Sequence, residues 1–355
     1  MAGLGRLVIG QPLARLPGVL AREARPGAKV MVVADSAVAG RYGKMLKIGL
    51  MKAGFEVRLV IIPAGERSKT LAQAQKLLTQ LSKANFERES WLIALGGGVV
   101  GDLTGFVAAT YLRGVPYIQV PTTLLAQVDS SIGGKTGVDT PEGKNLVGAF
   151  YHPRIIWITP DLLKTLPARH WRNGLAEVIK YGAIRDAALF EILERKMDRL
   201  LKGYSADWVP VIKRCAEIKA DVVKKDPTET KGLRAILNFG HSVGHAIEAA
   251  TGYRQYLHGE AISIGMFVAG LLSEQLSGLD GIDRIRLGTL LTKAGLPARV
   301  KRPIPRSRLL QFLARDKKVQ NGTVRFVLLK GLGEALSQQK IAPDVLALAL
   351  SASGL

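Results

Sequence analysis

The first half of the chain alternates short apolar runs with longer segments in which apolar residues recur every three or four positions. The runs at 29–34, 56–62, 91–95 and 117–120 predict four strands. The segments between them have the period of amphipathic helices. Strands that alternate with helices form parallel sheets covered on both faces. The pattern therefore predicts a doubly wound, Rossmann-like α/β domain over residues 1–160.

Each predicted strand is followed by a predicted helix, at 38–53, at about 71–84, from Asp102 to about Tyr111, and in a short segment after Thr123. From about residue 161 onwards, helical periodicity dominates the pattern. The apolar segment 261–273 is too short to cross a bilayer and predicts a buried core helix. The late strand signal is 323–329, which follows an Asn-Gly turn. The second half is therefore predicted to be a mostly α-helical domain over residues 161–355.

The composition indicates where the protein is located and which class of partner it binds. The single cysteine, Cys215, excludes an internal disulfide framework, and the N-terminus lacks a signal-peptide pattern, so a cytoplasmic location is expected. The net charge of +21 suits an anionic small-molecule ligand or a nucleic acid. The basic residues are spread along the chain with few aromatics between them. An anionic small molecule is therefore the favoured partner, and neither nucleic acid nor membrane is expected.

A glycine-rich turn follows the third predicted strand. Gly96, Gly98 and Gly101 fit the G-x-G-x-x-G pattern, in which the start of a helix approaches a pyrophosphate. The alternative is an ordinary tight connection between a strand and a helix. The acidic residue usual about twenty positions later is missing. Asp35 and Glu66, each just after a strand, are the candidate ribose partners.

Three of the five histidines lie within residues 241–258. His241 and His245 are four residues apart, so on a helix they share one face. Glu177, in an apolar helical segment, could complete a metal site with His241 and His258. One carboxylate and two imidazoles suit a catalytic zinc or cobalt ion with positions open to substrate. The alternative is a helix with hydrogen-bonded core histidines.

Basic and amide side chains near these segments are candidates for anion binding. Residues 129–137 lack the first glycine of a P-loop and predict a polar, glycine-rich loop that presents Lys135. The alternative for this segment is a simple surface loop. Lys219, Arg234 and Asn238 precede the histidines and could donate to a phosphate or a carboxylate, unless they belong to a basic helical face.

Nine segments occur in an order that is typical of one enzyme family. They are PAGERSKT, GGGVVGDLTGF, YLRGVPYIQVPTTLLAQVDSSIGGKTGV, GKNLVGAF, KTLP, GLAEVIKYG, NFGHSVGHAIE, LHGEAISIG and DKK. Together they closely resemble the 3-dehydroquinate synthase family of sugar-phosphate cyclases, from about residue 30 to about residue 330. The resemblance implies an NAD-binding α/β half, a helical metal-binding half and an active site between them.

The resemblance also implies a role for individual residues. The implied metal ligands are Glu177, His241 and His258. The implied substrate and catalytic contacts are Lys135, Lys180, His245, Lys219, Arg234, Asn238, Asn145, Arg113 and one or both of Lys317 and Lys318. The implied cofactor contacts are Asp35, Glu66, Arg67, Ser68, Lys69, Gly97, Gly98, Val99, Val100, Gly101, Asp102, Thr122, Thr123, Leu125, Asp129, Lys135, Lys144, Leu162 and Thr165. Because the residue that matches Arg113 serves the neighbouring subunit in this family, a homodimer is also implied.

The implied reaction converts 3-deoxy-D-arabino-heptulosonate 7-phosphate to 3-dehydroquinate and phosphate in the shikimate pathway. Catalytic NAD⁺ and a divalent metal would support transient oxidation, phosphate elimination, reduction, ring opening and an intramolecular aldol step. The chain departs from the family pattern at Ser242, where Thr is more usual, and at Asp139, where Asn is common. The alternatives are a cyclase for another sugar phosphate, a metal-dependent polyol dehydrogenase of the same architecture, and a basic nucleic-acid binder.

Overall fold

The computed structural model describes residues 4–315 and 325–355. The chain divides into two compact units, Met1–Leu166 and Pro167–Leu355. The implied substrate contacts Lys317 and Lys318, and the start of the predicted strand 323–329, lie outside the described residues.

A six-stranded parallel sheet forms the centre of the first unit. In chain order, the strands of this unit are β1 (Arg6–Ile9), β2 (Lys29–Asp35), β3 (Glu56–Ile62), β4 (Trp91–Gly96), β5 (Tyr117–Pro121), an antiparallel pair of β6 (Lys135–Thr140) and β7 (Gly143–Phe150), and β8 (Ile155–Ile158). The sheet order is β1-β8-β5-β4-β2-β3. The helices are α1 (Leu16–Leu20), α2 (Lys44–Lys52), α3 (Leu71–Lys83) and α4 (Gly98–Thr110). The predicted Rossmann-like α/β class is confirmed.

Both faces of this sheet are buried, because successive side chains of a strand point to opposite faces. On β2, Val30 and Val32 pack with residues of α1 and α2, such as Leu50. The alternate residue Met31 packs with residues of α3 and α4, such as Leu77. This two-sided burial explains why the central strands are continuous apolar runs in the sequence.

The strand order reverses between β2 and β4. From β2 the chain first adds β3 on one side, and then returns to place β4 on the other side. Crevices that bind ligands in open α/β sheets form at such switch points, beyond the carboxyl ends of the strands. Asp35 ends β2, and the turn at Gly96 and Gly97 ends β4, so two predicted cofactor contacts lie at this position.

The second unit is mostly helical. Its helices are α5 (Ala168–Arg185), α6 (Ala187–Leu200), α7 (Trp208–Lys225), α8 (His241–Ala250), α9 (His258–Leu276), α10 (Gly281–Lys293), α11 (Arg306–Arg315) and α12 (Pro343–Ser351). An antiparallel pair, β9 (Arg325–Gly331) and β10 (Glu334–Lys340), packs beside α9. The predicted core helix is confirmed, since α9 is buried from Ala261 to Met266. Within the described ranges, no helix is long and apolar enough to cross a membrane.

Several elements were not predicted from the sequence. The segment 129–137, predicted as a loop, consists of the end of a π-type turn at Ser130, a loop over residues 131–134 and the start of β6, so the loop prediction is confirmed only for residues 131–134. The helix predicted over 38–53 begins with a π-type turn, and α2 proper starts at Lys44. Strands β1, β7, β8 and β10 were also missed. The first and third of these are only four residues long, and β7 contains two glycines and is exposed at four of its eight positions, so they lack a clear apolar period.

Candidate active site

Three side chains from three helices of the second unit converge at one point. Glu177 lies on α5, and His241 and His258 are the first residues of α8 and α9. Oε1 of Glu177 lies 3.4 Å from Nε2 of His241 and 3.3 Å from Nε2 of His258. All three potential ligand atoms lie within 4.8 Å of one another. The predicted metal-binding residues are therefore brought together.

Glycine contacts hold the two histidine-bearing helices close to each other. A Cβ atom at Gly265 of α9 would lie 1.9 Å from the carbonyl oxygen of Gly240, just before α8. A Cβ atom at Gly244 would lie 2.9 Å from the Cα atom of Ile262. Only glycine permits this approach of the two backbones. Gly240 also has a φ of +77°, which turns the chain sharply into α8.

Each histidine is oriented by its other ring nitrogen. Nδ1 of His241 lies 3.1 Å from the carbonyl oxygen of Phe239, and Nδ1 of His258 lies 3.3 Å from Oε2 of Glu248. Because a carbonyl oxygen only accepts, Nδ1 of His241 donates and its Nε2 keeps a lone pair directed towards Glu177. Partners of this kind fix the ring and tautomer of metal-binding histidines.

The electrostatics of the cluster suit a cation. Burial raises the pKa of Glu177, but the ion pair with Lys180 and the adjacent imidazoles of His241 and His258 outweigh it and hold that pKa well below its usual value. Burial lowers the pKa of His241, so this ring is neutral at pH 7. Burial also disfavours the charged form of His258, yet the carboxylates of Glu248 and Glu177 raise its pKa to about 10. A divalent metal held by Glu177 would replace the proton of His258, so the donor set fits a zinc-like ion.

Three cationic side chains of the second unit are buried. Lys180, Lys219 and Arg234 are 1%, 6% and 3% exposed, which is unusual for such residues unless they are paired. Lys180 is paired with Glu177, and Nη1 of Arg234 donates to the carbonyl oxygen of Pro227 at 3.0 Å. Of the other predicted substrate contacts, Asn238 ends the 3₁₀ turn that begins beside Arg234. His245 is exposed on α8, with its ring centre 5.3 Å from that of His241.

Asp226, at the end of α7, organises the loop that leads to Arg234. Its Oδ1 accepts from the backbone N–H groups of Thr230 at 2.9 Å and Lys231 at 3.1 Å, and its Oδ2 accepts from that of Arg234 at 3.2 Å. Burial raises the pKa of Asp226, but these backbone donors outweigh it, and the pKa is lower than usual. The ionised carboxylate therefore fixes the path of residues 227–234.

The first unit contains a second polar cluster. Nζ of Lys69 donates to Oδ2 of Asp102 at 2.6 Å and also to Oδ1 of Asn145. Lys69 is 4% exposed, and although burial disfavours its charge, Asp102 raises its pKa and keeps it cationic. Nζ of Lys144 lies 3.4 Å from Oε1 of Glu66. The structure thus joins five residues predicted from three separate segments.

In the glycine-rich turn at Gly96–Gly101, two glycines allow close helix packing and two others suit an anion. A Cβ atom at Gly96 would lie 2.4 Å from the side chain of Val100, and one at Gly101 would lie 2.6 Å from Oε1 of Gln119. These two glycines allow α4 to pack closely on the strands. A Cβ atom at Gly97 would meet Thr123 only at 3.1 Å, and Gly97 and Gly98 open the thirteen-residue helix α4. Their backbone N–H groups fit an anion at a helix N-terminus.

The remaining predicted contacts are distributed around the first unit. Oδ1 of Asp35 accepts from the N–H of Ala37 at 2.9 Å, and burial raises the pKa of Asp35. Other placements are Arg67 and Ser68 in the 3₁₀ turn before α3, Val99 and Val100 on α4, Thr122, Thr123, Leu125 and Asp129 in the turn after β5, and Leu162 and Thr165 in the 3₁₀ turn after β8. Lys135 is exposed at the start of β6, and Arg113 is exposed with a φ of +64°.

Besides Asp226, two residues with structural roles in these clusters were not predicted. Glu248 orients His258, and it lies seven residues after His241, so the helical period offered a signal. Oδ1 of Asn173 accepts from the N–H of Gly259 at 2.6 Å, which ties the start of α9 to α5. No sequence pattern indicates this second contact, because the two residues are far apart in the chain.

Comparisons with known proteins connect both units with one family. The family model for the N-terminal part of 3-dehydroquinate synthase matches residues 59–173, and the model for its C-terminal part matches residues 174–319. The 3-dehydroquinate synthase of Pelobacter propionicus is 47% identical over 320 residues, which cover 90% of this chain and 89% of that protein.

Two solved structures share the fold over nearly the whole chain. The 2-epi-5-epi-valiolone synthase of Streptomyces hygroscopicus, with NAD⁺ and Zn²⁺ bound, has a TM-score of 0.90 and 29% identity, covering 99% of this chain and 97% of that one. A 2-deoxy-scyllo-inosose synthase complexed with carbaglucose-6-phosphate, NAD⁺ and Co²⁺ has a TM-score of 0.86 and 26% identity, covering 98% and 97%.

Proposed function

The chain belongs to the 3-dehydroquinate synthase family, and from this premise we propose that it converts 3-deoxy-D-arabino-heptulosonate 7-phosphate to 3-dehydroquinate and phosphate. The 47% identity over 90% of the chain with a curated synthase carries this assignment. The cluster of Glu177, His241 and His258 supplies the donor set that such metal-dependent chemistry needs.

We propose that Glu177, His241 and His258 hold one divalent ion, zinc or cobalt. When bound, this ion would act as a Lewis acid, and NAD⁺ would supply reversible hydride transfer. Glu248 would keep Nε2 of His258 directed at the ion, and Lys180 would neutralise part of the charge of Glu177. The exposed ring of His245 would hold or move a proton at the substrate.

The first unit would bind the dinucleotide. The N-terminus of α4 at Gly97 and Gly98 suits the pyrophosphate, and Asp35 at the end of β2 suits a ribose hydroxyl. The cluster of Lys69, Asp102 and Asn145 adds a cationic group whose position is fixed by two hydrogen bonds. The other predicted cofactor contacts remain predictions.

The basic side chains would bind a substrate that carries a phosphate and a carboxylate. Lys180, Lys219 and Arg234 are buried cations, and a planar guanidinium matches either anion with two hydrogen bonds. Lys135, exposed on β6, would add a further positive charge.

We also propose a homodimer in which Arg113 serves the partner's site. The single cysteine of the chain suits a reducing compartment such as the cytoplasm.

The decisive experiment incubates the purified protein with the seven-carbon substrate, NAD⁺ and Zn²⁺ or Co²⁺. Phosphate release without net NADH formation is expected, because the transiently oxidised carbon is reduced again before product leaves. Net NADH accumulation without phosphate release would identify a polyol dehydrogenase instead. A chelator-treated sample serves as the control for metal dependence.

A cyclase acting on another sugar phosphate is the second candidate. The TM-scores of 0.90 and 0.86 to two other cyclases favour it. The same assay with sugar phosphates that lack the carboxylate separates the two functions. The proposed synthase should release phosphate from the carboxylated substrate alone, whereas a preference for an uncarboxylated sugar phosphate would identify the second candidate.

A further inference from the structure

The antiparallel pair β6–β7 is irregular at one position. Val138 pairs with Val147 and Thr140 pairs with Gly143, so the single residue Asp139 lies opposite the three residues 144–146. Such an irregularity leaves backbone groups without their ladder partners and bends the strand. Asn145, in the centre of the three, has a φ of +56°, a left-handed conformation that most L-residues seldom adopt and that Asn adopts more readily than others.

Asp139 makes the contacts that the interrupted ladder lacks. Its Oδ1 accepts from the backbone N–H of Asn145 at 2.9 Å. Its own backbone N–H donates to the carbonyl oxygen of Lys69 at 2.8 Å, and a parallel bridge joins it to Thr70. One residue therefore connects the strand pair with the segment that enters α3.

Through Asn145, these contacts reach the buried ammonium group of Lys69. Oδ1 of Asn145 accepts from Nζ of Lys69, which also donates to Oδ2 of Asp102 at 2.6 Å. Asp139 thus holds Lys69 through its backbone and holds Asn145 through its side chain. If the backbone of Asn145 left its left-handed conformation, its amide would turn away from Lys69.

We propose that Asp139 is a positioning residue of the active site, whose carboxylate fixes the left-handed conformation of Asn145 and thereby the contact of the Asn145 amide with Lys69. This inference rests on the proposed function, in which Lys69 contacts the dinucleotide, and on the family resemblance, which implies that Asn145 contacts the substrate. The proposed effect acts through the hydrogen bond rather than the charge, because Asp139 contributes less than Asp102, which bonds directly to Nζ of Lys69, to keeping that lysine cationic. An amide oxygen at position 139 could accept the same bond.

The test compares three variants of the full-length protein. Asp139→Ala removes the acceptor, and Asp139→Asn keeps an acceptor oxygen without the charge. Glu142→Ala is the matched control, since Glu142 lies in the same turn, is exposed, and interacts with Thr140. Hydrogen–deuterium exchange of the peptide covering residues 141–149 reports the local conformation in the absence of turnover. The NAD⁺ dissociation constant, kcat and KM for the seven-carbon substrate report the site.

Asp139→Ala should exchange faster over residues 141–149 and lose roughly tenfold in kcat/KM, the scale of one hydrogen bond to a charged group. Asp139→Asn should stay within about twofold of wild type in both measurements, and Glu142→Ala should match wild type. Equal behaviour of Asp139→Ala and Glu142→Ala would overturn the proposal. So would an Asp139→Asn variant as impaired as Asp139→Ala, because the charge would then be the essential property.

Failure of the proposed function can be distinguished from failure of this inference. If wild-type protein releases no phosphate from the substrate, the proposed function is wrong. The exchange rate of residues 141–149 and the NAD⁺ affinity of the variants still decide whether Asp139 positions Asn145. If Asp139→Ala folds poorly, recovery of both properties in Asp139→Asn supports the hydrogen bond, and its absence contradicts it.

Discussion

Nδ1 of His258 lies 3.3 Å from Oε2 of Glu248, on the side of the ring opposite to the nitrogen that faces Glu177. The imidazole is therefore held between two carboxylates. Glu248 is 7% exposed, so its bond to the ring is shielded from water. Partners of this kind fix the ring of a metal-binding histidine and increase its basicity.

We expect Glu248→Ala to weaken metal binding by roughly 10- to 100-fold, the usual effect of removing such a partner. Competition with a chromophoric chelator would measure the affinity. Glu274→Ala is a suitable control, because Glu274 is an exposed carboxylate on α9 that pairs with Arg284. Equal metal affinity in the two variants would show that Glu248 does not orient His258.

Loss of either proposed metal-binding histidine should separate the functions of the two units. His241→Ala or His258→Ala should abolish turnover and metal retention, because each removes one of three ligand atoms. NAD⁺ affinity should remain close to that of wild type, since the glycine-rich turn at Gly96–Gly101, which is proposed to bind the dinucleotide, lies in the first unit. Metal analysis after dialysis and calorimetric titration with NAD⁺ would measure both. Wild-type metal stoichiometry in both variants would contradict the ligand assignment.

The glycine turn offers a test of dinucleotide binding. A Cβ atom at Gly98 would lie 3.0 Å from Oγ of Ser130, a contact that a small shift can relieve, so Gly98→Val should fold. Its branched side chain should nevertheless obstruct the start of α4 and weaken NAD⁺ binding about tenfold or more. Gly40→Val, at a position with open space around Cβ, is the control. Unchanged NAD⁺ affinity in Gly98→Val would mean that this glycine serves only helix packing.

Strands β2, β4 and β5 could be predicted because burial on both faces requires continuous apolar runs, as in Trp91–Gly96. The edge strand β3 could be predicted because its apolar residues alternate with exposed positions before an apolar end. Strands β6 and β7 could not, because Lys135–Thr140 is mostly polar and carries Gly137, and Gly143–Phe150 carries two glycines and lacks a clear alternation. The strand pair also contacts a distant segment, through the bond from the N–H of Asp139 to the carbonyl oxygen of Lys69. Contacts between distant segments leave no periodic signal in a single sequence.

In the candidate site, too, some residues could be predicted from the sequence and others only from the fold. Glu177, His241 and His258 could be proposed from residue type and spacing, because few side chains bind zinc-like ions and the chain has only five histidines. The residues that position these side chains could not be proposed in this way, because their residue types are common throughout the chain. Asn173 and Asp226 act through backbone N–H groups of other segments, and such partners are defined only by the folded chain.

The proposed role of Arg113 in a partner's site can be tested by mixing inactive variants. Arg113 is exposed on the first unit, and Lys180 is buried beside Glu177 in the second. If one subunit supplies Arg113 to the other, a dimer of Arg113→Ala with Lys180→Ala has one intact composite site. Random mixing would make about half of the dimers mixed, so about a quarter of wild-type activity should return. No recovery after verified subunit exchange would exclude this arrangement.

The loop anchored by Asp226 should make stability depend on pH in a defined direction. Because backbone donors depress the pKa of Asp226 in the folded chain, its contribution is present above the unfolded pKa of about 4 and is lost as pH falls through the lower folded value. Asp226→Asn presents an NH₂ group to N–H donors, so it should lower the free energy of unfolding at pH 7 by about 2–3 kcal/mol. In urea denaturation, the difference in free energy of unfolding between Asp226→Asn and wild type should narrow towards pH 3.

Asp221→Asn, at an exposed position on α7, is the control and should show no such trend. A difference that stays constant down to pH 3 would show that the ionised carboxylate is not what holds the loop.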